Sequence, residues 1–139
     1  MKSKAKIFIA CGENLLFSIK RSPGKPWKDR KLELLGGGID TDEAPFQGLI
    51  RELVEEEMSG TLARRASRKI DRVRRVFVGD EPHFIYDMTI TPQEIDDIRM
   101  DAVESYGYVL LHQSEISDDP IRFTPKTLQI FRALGLIEA

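Results

Sequence analysis

The amino-acid sequence predicts an α/β fold, in which a mixed β-sheet lies between helices. Two observations carry this prediction. Short strand-like apolar segments stand on both sides of a central segment with helical periodicity, and a second helical segment follows near the C-terminal end. In addition, no interior stretch has the composition of a linker. We therefore expect residues 1–139 to form one domain, which is long enough to bury a core without disulfide bonds.

The strand predictions rest on apolar runs bounded by turn residues. The first two runs would form a hairpin around Gly12-Glu13-Asn14, and a longer hairpin would turn at Gly79-Asp80-Glu81-Pro82. The predicted strands are Lys6–Ala10, Leu15–Lys20, Leu32–Leu35, Ile70–Val78, His83–Ile90 and Tyr106–Leu111.

Two further helices are predicted from their first residues. Thr91-Pro92-Gln93-Glu94 combines a capping box with a proline at the first helical position, so a short helix should begin there. Thr124-Pro125 opens a C-terminal helix in a similar way. The apolar residues of that helix are Leu128, Ile130, Phe131 and Leu134.

The central helix follows three glycines, Gly36 to Gly38, which we expect to turn a strand into the helix and to let the backbone approach a metal ion and phosphate closely. Thr41 and Asp42 are expected to accept hydrogen bonds from the free N–H groups of its first turn, where Pro45 is tolerated. Gly60 is a plausible end. The apolar stripe of this helix, at positions i, i+3, i+4 and i+7, is Phe46, Leu49, Ile50 and Leu53.

Three carboxylates, Glu52, Glu55 and Glu56, occupy positions i, i+3 and i+4 of the same helix and should share one face. Like charges at this spacing repel, and a hard divalent cation with oxygen ligands makes such a cluster favourable. A lone triplet of this kind is most often a solvated surface. Because no His or Cys accompanies the carboxylates, the pattern favours Mg²⁺ or Mn²⁺ over zinc.

Further residues extend the triplet to a longer motif. A glycine, five intervening residues, a glutamate, seven intervening residues and then Arg-Glu-aliphatic-x-Glu-Glu resemble the signature box of the Nudix hydrolase family. The matched residues are Gly37, Glu43, Arg51, Glu52, Leu53, Glu55 and Glu56. The sequence departs from the box at its end, where Met58 replaces a glycine and Ser59 an aliphatic residue. Since both positions shape the loop after the helix, the departure bears on loop geometry and substrate.

The resemblance implies an α/β/α sandwich and a hydrolase that acts on phosphoric anhydride bonds. Water would attack a phosphorus of a nucleoside diphosphate linked to another group, or of a nucleoside triphosphate. The implied metal ligands are Glu52, Glu55 and Glu56, with the carbonyl oxygen of Gly37, and the implied cofactor is Mg²⁺ or Mn²⁺.

Other catalytic roles also come from the resemblance. Arg51 and Glu43 would orient the ligands by ion pairing. Glu52 is our first choice for the general base, with Asp101 and Glu104 as alternatives in a loop outside the box. Alternatively, Asp101 and Glu104 belong to an acidic run that is exposed to solvent.

Substrate contacts are expected outside the box. Lys20 and Arg21 would contact phosphate or simply be solvated at a strand end. Trp27 would pack against the protein, the reading we favour, or stack on a base. Glu104 is also a candidate for contact with the substrate. The basic segment from Arg64 to Arg75 would hold a polyphosphate or an RNA 5′ end, or face solvent or a second subunit.

Two alternatives to a hydrolase of small nucleotides remain open at the sequence level. One is a catalytically inactive nucleotide-binding sensor, and the other is an RNA 5′-end pyrophosphohydrolase. The expected partner is a small phosphorylated nucleotide. The net charge of −2 gives no reason to expect DNA, and no segment reaches transmembrane length. The single cysteine, Cys11, fits a cytoplasmic location. The sequence names neither the substrate nor the oligomeric state, although the resemblance allows a homodimer.

Overall fold

A computed structural model describes residues 3–138 of the chain. These residues form seven β-strands and four α-helices around one sheet. The strands are β1 (Ser3–Cys11), β2 (Asn14–Lys20), β3 (Leu32–Glu33), β4 (Leu35–Ile39), β5 (Arg72–Val78), β6 (Glu81–Thr89) and β7 (Ser105–His112). The helices are α1 (Pro45–Glu56), α2 (Thr61–Arg68), α3 (Pro92–Asp97) and α4 (Pro125–Ala133).

The sheet is mixed and is organised around β1. Along one edge, β1 pairs antiparallel with β4 through its first half and with β2 through its second half. Along the other edge it pairs in parallel with β6, which continues antiparallel to β5. β2 also pairs with β3 and β7. This topology places the glycines of β4 directly beside the N-terminal half of β1.

Two apolar layers cover the two faces of the sheet. Leu49 and Leu53 of α1 and Leu62 of α2 are fully buried on one face. On the other face Phe131 of α4 packs edge-on against Phe123, with ring centroids 5.0 Å apart. The helices therefore lie on both sides of a mixed sheet, which confirms the predicted α/β/α sandwich.

Successive side chains of β1 point to opposite faces. Ala5, Ile7 and Ile9 are buried beneath α1 and α2. On the opposite face Phe8 stacks on the Phe131 ring, and the two residues that precede it at the same spacing are Lys4 and Lys6. This strand thus supplies part of a core on one face and two cations on the other.

Most predicted elements are confirmed, including both hairpins, the Thr91 capping box and the C-terminal helix. Three details of the central segment were wrong. The glycines form strand β4 instead of a turn, and α1 begins at Pro45, after Ala44, without a cap from Thr41 or Asp42. The helix ends at Glu56. Gly60, at φ 80°, instead precedes α2, a helix that the sequence analysis missed.

Among residues 3–138, no helix combines the length and the apolar character that crossing a membrane requires.

Candidate active site

A cavity of about 780 Å³ opens between α1, β4, the N-terminal half of β1 and the start of α4. Small-molecule sites in proteins commonly measure about 300–1,000 Å³, so a nucleotide-sized ligand fits. The lining contains both carboxylates and ammonium groups. The acidic lining residues are Glu33, Glu52, Glu56, Asp80, Glu81, Asp101 and Glu104, and the lysines are Lys4, Lys6, Lys20, Lys28 and Lys126.

Glu56 is the more enclosed of the two carboxylates that α1 contributes. Its Oε1 accepts a 2.8 Å hydrogen bond from the Gly36 N–H, which fixes it against β4. Burial raises the pKa of Glu56 to about 8, although the Lys6 ammonium and the Gly36 hydrogen bond oppose the shift. Such a carboxylate gains most from a cation placed beside it.

Glu52 lies one helical turn earlier, against Gly37. A Cβ at Gly37 would lie 2.6 Å from the Glu52 carboxyl carbon, so only glycine leaves room for this carboxylate. Burial raises the pKa of Glu52, and the hydrogen bond from Arg51 counteracts that effect. The glycines therefore seat both carboxylates by close backbone approach.

Arg51 connects the parts of the motif. Its Nε and Nη2 donate to the two carboxylate oxygens of Glu43 at 2.8 and 3.0 Å, a bidentate pair. Nη2 also donates to the Gly38 carbonyl at 2.8 Å, and Nη1 donates to Glu52 at 3.1 Å. The hydrogen bond from Arg51 lowers the pKa of Glu43 and keeps that carboxylate charged. Arg51 and Glu43 thus hold α1 to the glycine strand and orient Glu52.

Glu55 differs from the expectation of a shared carboxylate face. Its side chain is 57% exposed, lies 3.4 Å from Arg51 Nη1 and is not part of the cavity lining. The 100° step of the helix separates Glu55 from Glu52 and Glu56 enough for Glu55 to face solvent. Within residues 3–138, no three His, Cys, Asp or Glu side chains are grouped closely enough to hold a metal ion.

The donor set nevertheless suits a hard cation. Glu52 and Glu56 present carboxylate oxygens to the cavity beside the backbone of Gly36 and Gly37, and the Gly37 cradle leaves the Glu52 carboxylate unshielded by a side chain. Oxygen ligands of this kind fit Mg²⁺ or Mn²⁺. Glu52 and Glu56 are the residues that would hold such an ion here.

The substrate candidates outside the box divide into two groups. Lys20, Trp27 and Glu104 line the cavity, and so does Asp101. Trp27 is 58% exposed, so the packing role that we favoured for it was wrong. Arg21 does not line the cavity. Its guanidinium donates to the Ala102 carbonyl and lies over the Tyr106 ring, and it thereby secures the loop that carries Glu104.

The basic segment from Arg64 to Arg75 lies away from the cavity, because none of its residues is among the lining residues. Arg72 and Arg74 pair with Asp87, and Arg65 pairs with Glu94. The segment is divided between two elements, α2 and β5, and it does not reach the cavity.

The lining residues outside the predicted site include Lys6, Lys28, His83 and Lys126, which lie far apart in the chain. The alternation of lysine with apolar residues in β1 was a signal for Lys6. His83 is buried, and burial lowers its pKa. Lys126 lines the cavity because α4 begins there, and no local sequence pattern indicates that position.

Glu57, the residue after α1, organises the loop where the motif departs from the box. Its carboxylate is 1% exposed and accepts hydrogen bonds from the N–H groups of Ser59, Leu62 and Arg99 and from the Ser59 hydroxyl. Burial alone would raise the pKa of Glu57, but these donors lower it overall. The position of Ser59 is thus used for a polar contact instead of an aliphatic one.

Comparison with known proteins gives a fold and no sequence relative. No family model matches the sequence, and no curated protein matches it. Three solved structures illustrate the likeness. The bifunctional NMN adenylyltransferase/ADP ribose pyrophosphatase of Francisella tularensis, complexed with AMP and a manganese ion, has a TM-score of 0.68 and 16% identity. The match covers 96% of this chain and only 40% of that protein.

The other two structures match over nearly their whole length. A MutT Nudix hydrolase of Burkholderia pseudomallei has a TM-score of 0.62 and 12% identity, with 96% of this chain and 97% of that one covered. A Nudix-family hydrolase of Clostridium perfringens has a TM-score of 0.58 and 19% identity, with 96% and 93% covered. The likeness covers nearly the whole of each chain, and this chain therefore has the Nudix fold.

Proposed function

We propose that this protein is a Nudix-type pyrophosphohydrolase that depends on Mg²⁺ or Mn²⁺ and acts on a small nucleotide. The proposed substrate is a nucleoside diphosphate linked to another group, or a nucleoside triphosphate. One observation carries the proposal: two carboxylates of α1, Glu52 and Glu56, face a nucleotide-sized cavity beside the glycine backbone, where the Lys6 ammonium of β1 donates to the Gly36 carbonyl.

The proposed chemistry divides the work between cation and protein. A bound Mg²⁺ or Mn²⁺ would neutralise charge on the phosphate oxygens and lower the pKa of water. Glu52 and Glu56 would hold the cation, while the Arg51–Glu43 pair fixes the orientation of Glu52. Lys6, whose Nζ lies 3.3 Å from the Gly36 carbonyl oxygen, would bind a phosphate oxygen.

The general base is assigned to Glu52, as the family resemblance suggested. Its carboxylate is half-buried and reaches the cavity directly, so it can take a proton from a water molecule there. Asp101 and Glu104 line the same cavity from the loop before β7 and remain the alternative bases. Glu55 enters the ligand set only if its side chain turns inward when the cation binds.

Trp27 is proposed to stack on the base. Its exposed ring lines the cavity next to Lys28, where a planar group of the substrate would cover apolar surface that now faces solvent. Replacement of Trp27 by alanine should then raise KM several-fold with little change in kcat, because stacking contributes equally to substrate and transition state.

A hydrolysis panel with Mg²⁺ and with Mn²⁺ tests the proposal. It would contain nucleoside triphosphates, oxidised nucleoside triphosphates, ADP-ribose, nucleotide sugars, dinucleoside polyphosphates and 5′-triphosphate RNA. Wild type is compared with Glu56→Gln, and Glu13→Gln serves as the matched control because Glu13 is 79% exposed in a turn outside the cavity.

We expect Glu56→Gln to lower turnover by about 100-fold or more, and Glu13→Gln to leave it unchanged. A substrate that Glu56→Gln cleaves at the wild-type rate would overturn the metal-site assignment. Nucleotide binding without hydrolysis would support the sensor alternative. Cleavage of RNA alone would support the 5′-end reading, although the basic segment that motivated it lies outside the cavity.

A further inference from the structure

The cavity has a second charged wall that the proposed reaction leaves without a role. Lys20 ends β2, Lys28 lies on the loop between β2 and β3, and Lys126 lies in the first turn of α4. All three line the same cavity as Glu52 and Glu56, which come from a different element, α1. Three separate elements therefore bring ammonium groups to one place.

In the part of the chain that the structure describes, Lys20 forms an ion pair with Glu33 at 3.8 Å, and the other two lysines form none. Within residues 3–138, the side chains of Lys28 and Lys126 form neither an ion pair nor a hydrogen bond, and the neighbouring Lys25 is likewise unpaired through its side chain. Ammonium groups that line a cavity without an ion pair repel one another, and an anionic ligand bound between them lowers that repulsion.

The neighbouring charges act on the pKa of Lys28. Repulsion from Lys25 lowers the pKa of Lys28 most, followed by burial and by repulsion from Lys20 and Lys126, while Glu33 opposes the shift. The positive end of α4 adds to this field, because the helix N-terminus at Thr124–Thr127 belongs to the cavity lining.

We propose that Lys20, Lys28 and Lys126 form a phosphate subsite, so that the substrate carries at least one phosphate group beyond the pyrophosphate bond that is cleaved. This inference rests on the proposed function. The extra phosphate would belong either to a longer phosphoanhydride chain or to a phosphate monoester elsewhere on the nucleotide. Both present the tetrahedral dianion that ammonium groups bind.

Binding without metal tests the subsite independently of catalysis. Calorimetry in EDTA would use three probes: inorganic tripolyphosphate, adenosine 3′,5′-bisphosphate and AMP. The test variant is K28A/K126A, which removes the two unpaired lysines from the cavity. Lys69→Ala is the matched control, because Lys69 is 74% exposed and lies outside the cavity. Glu56→Gln reports on the carboxylate side.

We expect K28A/K126A to weaken binding of the preferred probe by about tenfold or more, as loss of a charge-assisted contact predicts. Lys69→Ala should bind as wild type does, and Glu56→Gln should bind at least as well. Preference for tripolyphosphate would assign the subsite to a phosphate chain, and preference for the bisphosphate over AMP would assign it to a monoester.

Three results would overturn the subsite: unchanged binding by K28A/K126A, an equal loss in Lys69→Ala, or no binding of any probe by wild type. A kinetic readout separates this failure from failure of the proposed function. If the enzyme hydrolyses nucleotides and K28A/K126A raises KM equally for substrates with and without the extra phosphate, the function stands and the subsite does not. If no nucleotide is hydrolysed, the metal-free binding still decides the subsite.

Discussion

We expect three consecutive glycines, Gly36, Gly37 and Gly38, to respond differently to replacement by alanine. At Gly36 a Cβ would lie 2.1 Å from the Ala5 carbonyl oxygen, which belongs to the central strand β1. At Gly37 it would meet only the end of the Glu52 side chain, at 2.6 Å, and at Gly38 nothing lies within 4 Å. The three positions thus separate a backbone clash, a side-chain clash and open space.

The magnitudes follow from these contacts. Gly36 has φ +114°, a conformation that costs an L-residue about 1–3 kcal/mol, and overpacking against β1 adds about 1–3 kcal/mol. Gly36→Ala should therefore lower Tm by roughly 6–20 °C. For Gly37→Ala the flexible Glu52 carboxylate can move aside, so stability should change by less than about 1 kcal/mol. Gly38→Ala should stay within about 0.5 kcal/mol.

The same variants should rank differently in metal binding and turnover than they do in stability. Gly37→Ala displaces Glu52, so Mn²⁺ affinity and metal-dependent turnover should fall by roughly 10–100-fold in a protein with nearly wild-type Tm. Gly38→Ala should retain both. Thermal unfolding and Mn²⁺ titration of the three variants provide the data. Equal Tm values for Gly36→Ala and Gly38→Ala would refute the packing argument, and undiminished Mn²⁺ binding by Gly37→Ala would refute the role of Glu52.

Three further predictions concern single side chains. Arg51→Lys should lower kcat by roughly 10–100-fold in steady-state assays, because an ammonium cannot make the bidentate pair with Glu43. Glu57→Gln should lower the free energy of unfolding in urea by about 2–4 kcal/mol, since it disturbs four buried hydrogen bonds, whereas the exposed Glu55→Gln should change it by less than about 0.5 kcal/mol. Burial lowers the pKa of His83 below its usual 6.5, so the unfolded chain binds this proton more readily and stability is lost as pH falls through 6.5. Urea unfolding at pH 7.5 and 5.5 should show a smaller acid loss in His83→Gln than in wild type, and an equal loss would contradict this assignment.

The fold was predictable where local signals agree with tertiary structure. The Thr91 capping box and the Thr124-Pro125 start lie at helix ends in the structure because their backbone requirements are local. Helix α2 was missed because its arginines conceal the buried Leu62, Ala63 and Ala66, which are too few and too small to mark a helix. The glycines were predicted as a turn, and only pairing with β1 makes them a strand.

Three adjacent glutamates show why the site was only partly predictable. Helical spacing correctly brought Glu52 and Glu56 together, but it also placed Glu55 on their face and gave no role to Glu57. The end of the helix determines the position of Glu57: its backbone becomes extended, with φ −129°, and the carboxylate turns inward to three N–H groups that lack helical partners. Glu55, still within the helix, has no such donors and remains at the surface beside Arg51. Glu57 thus organises a loop, Glu56 faces the cavity and Glu55 faces solvent. Gly36 donates to Glu56 and Arg99 donates to Glu57, and because both donors lie far away in the sequence, no local pattern indicates these contacts.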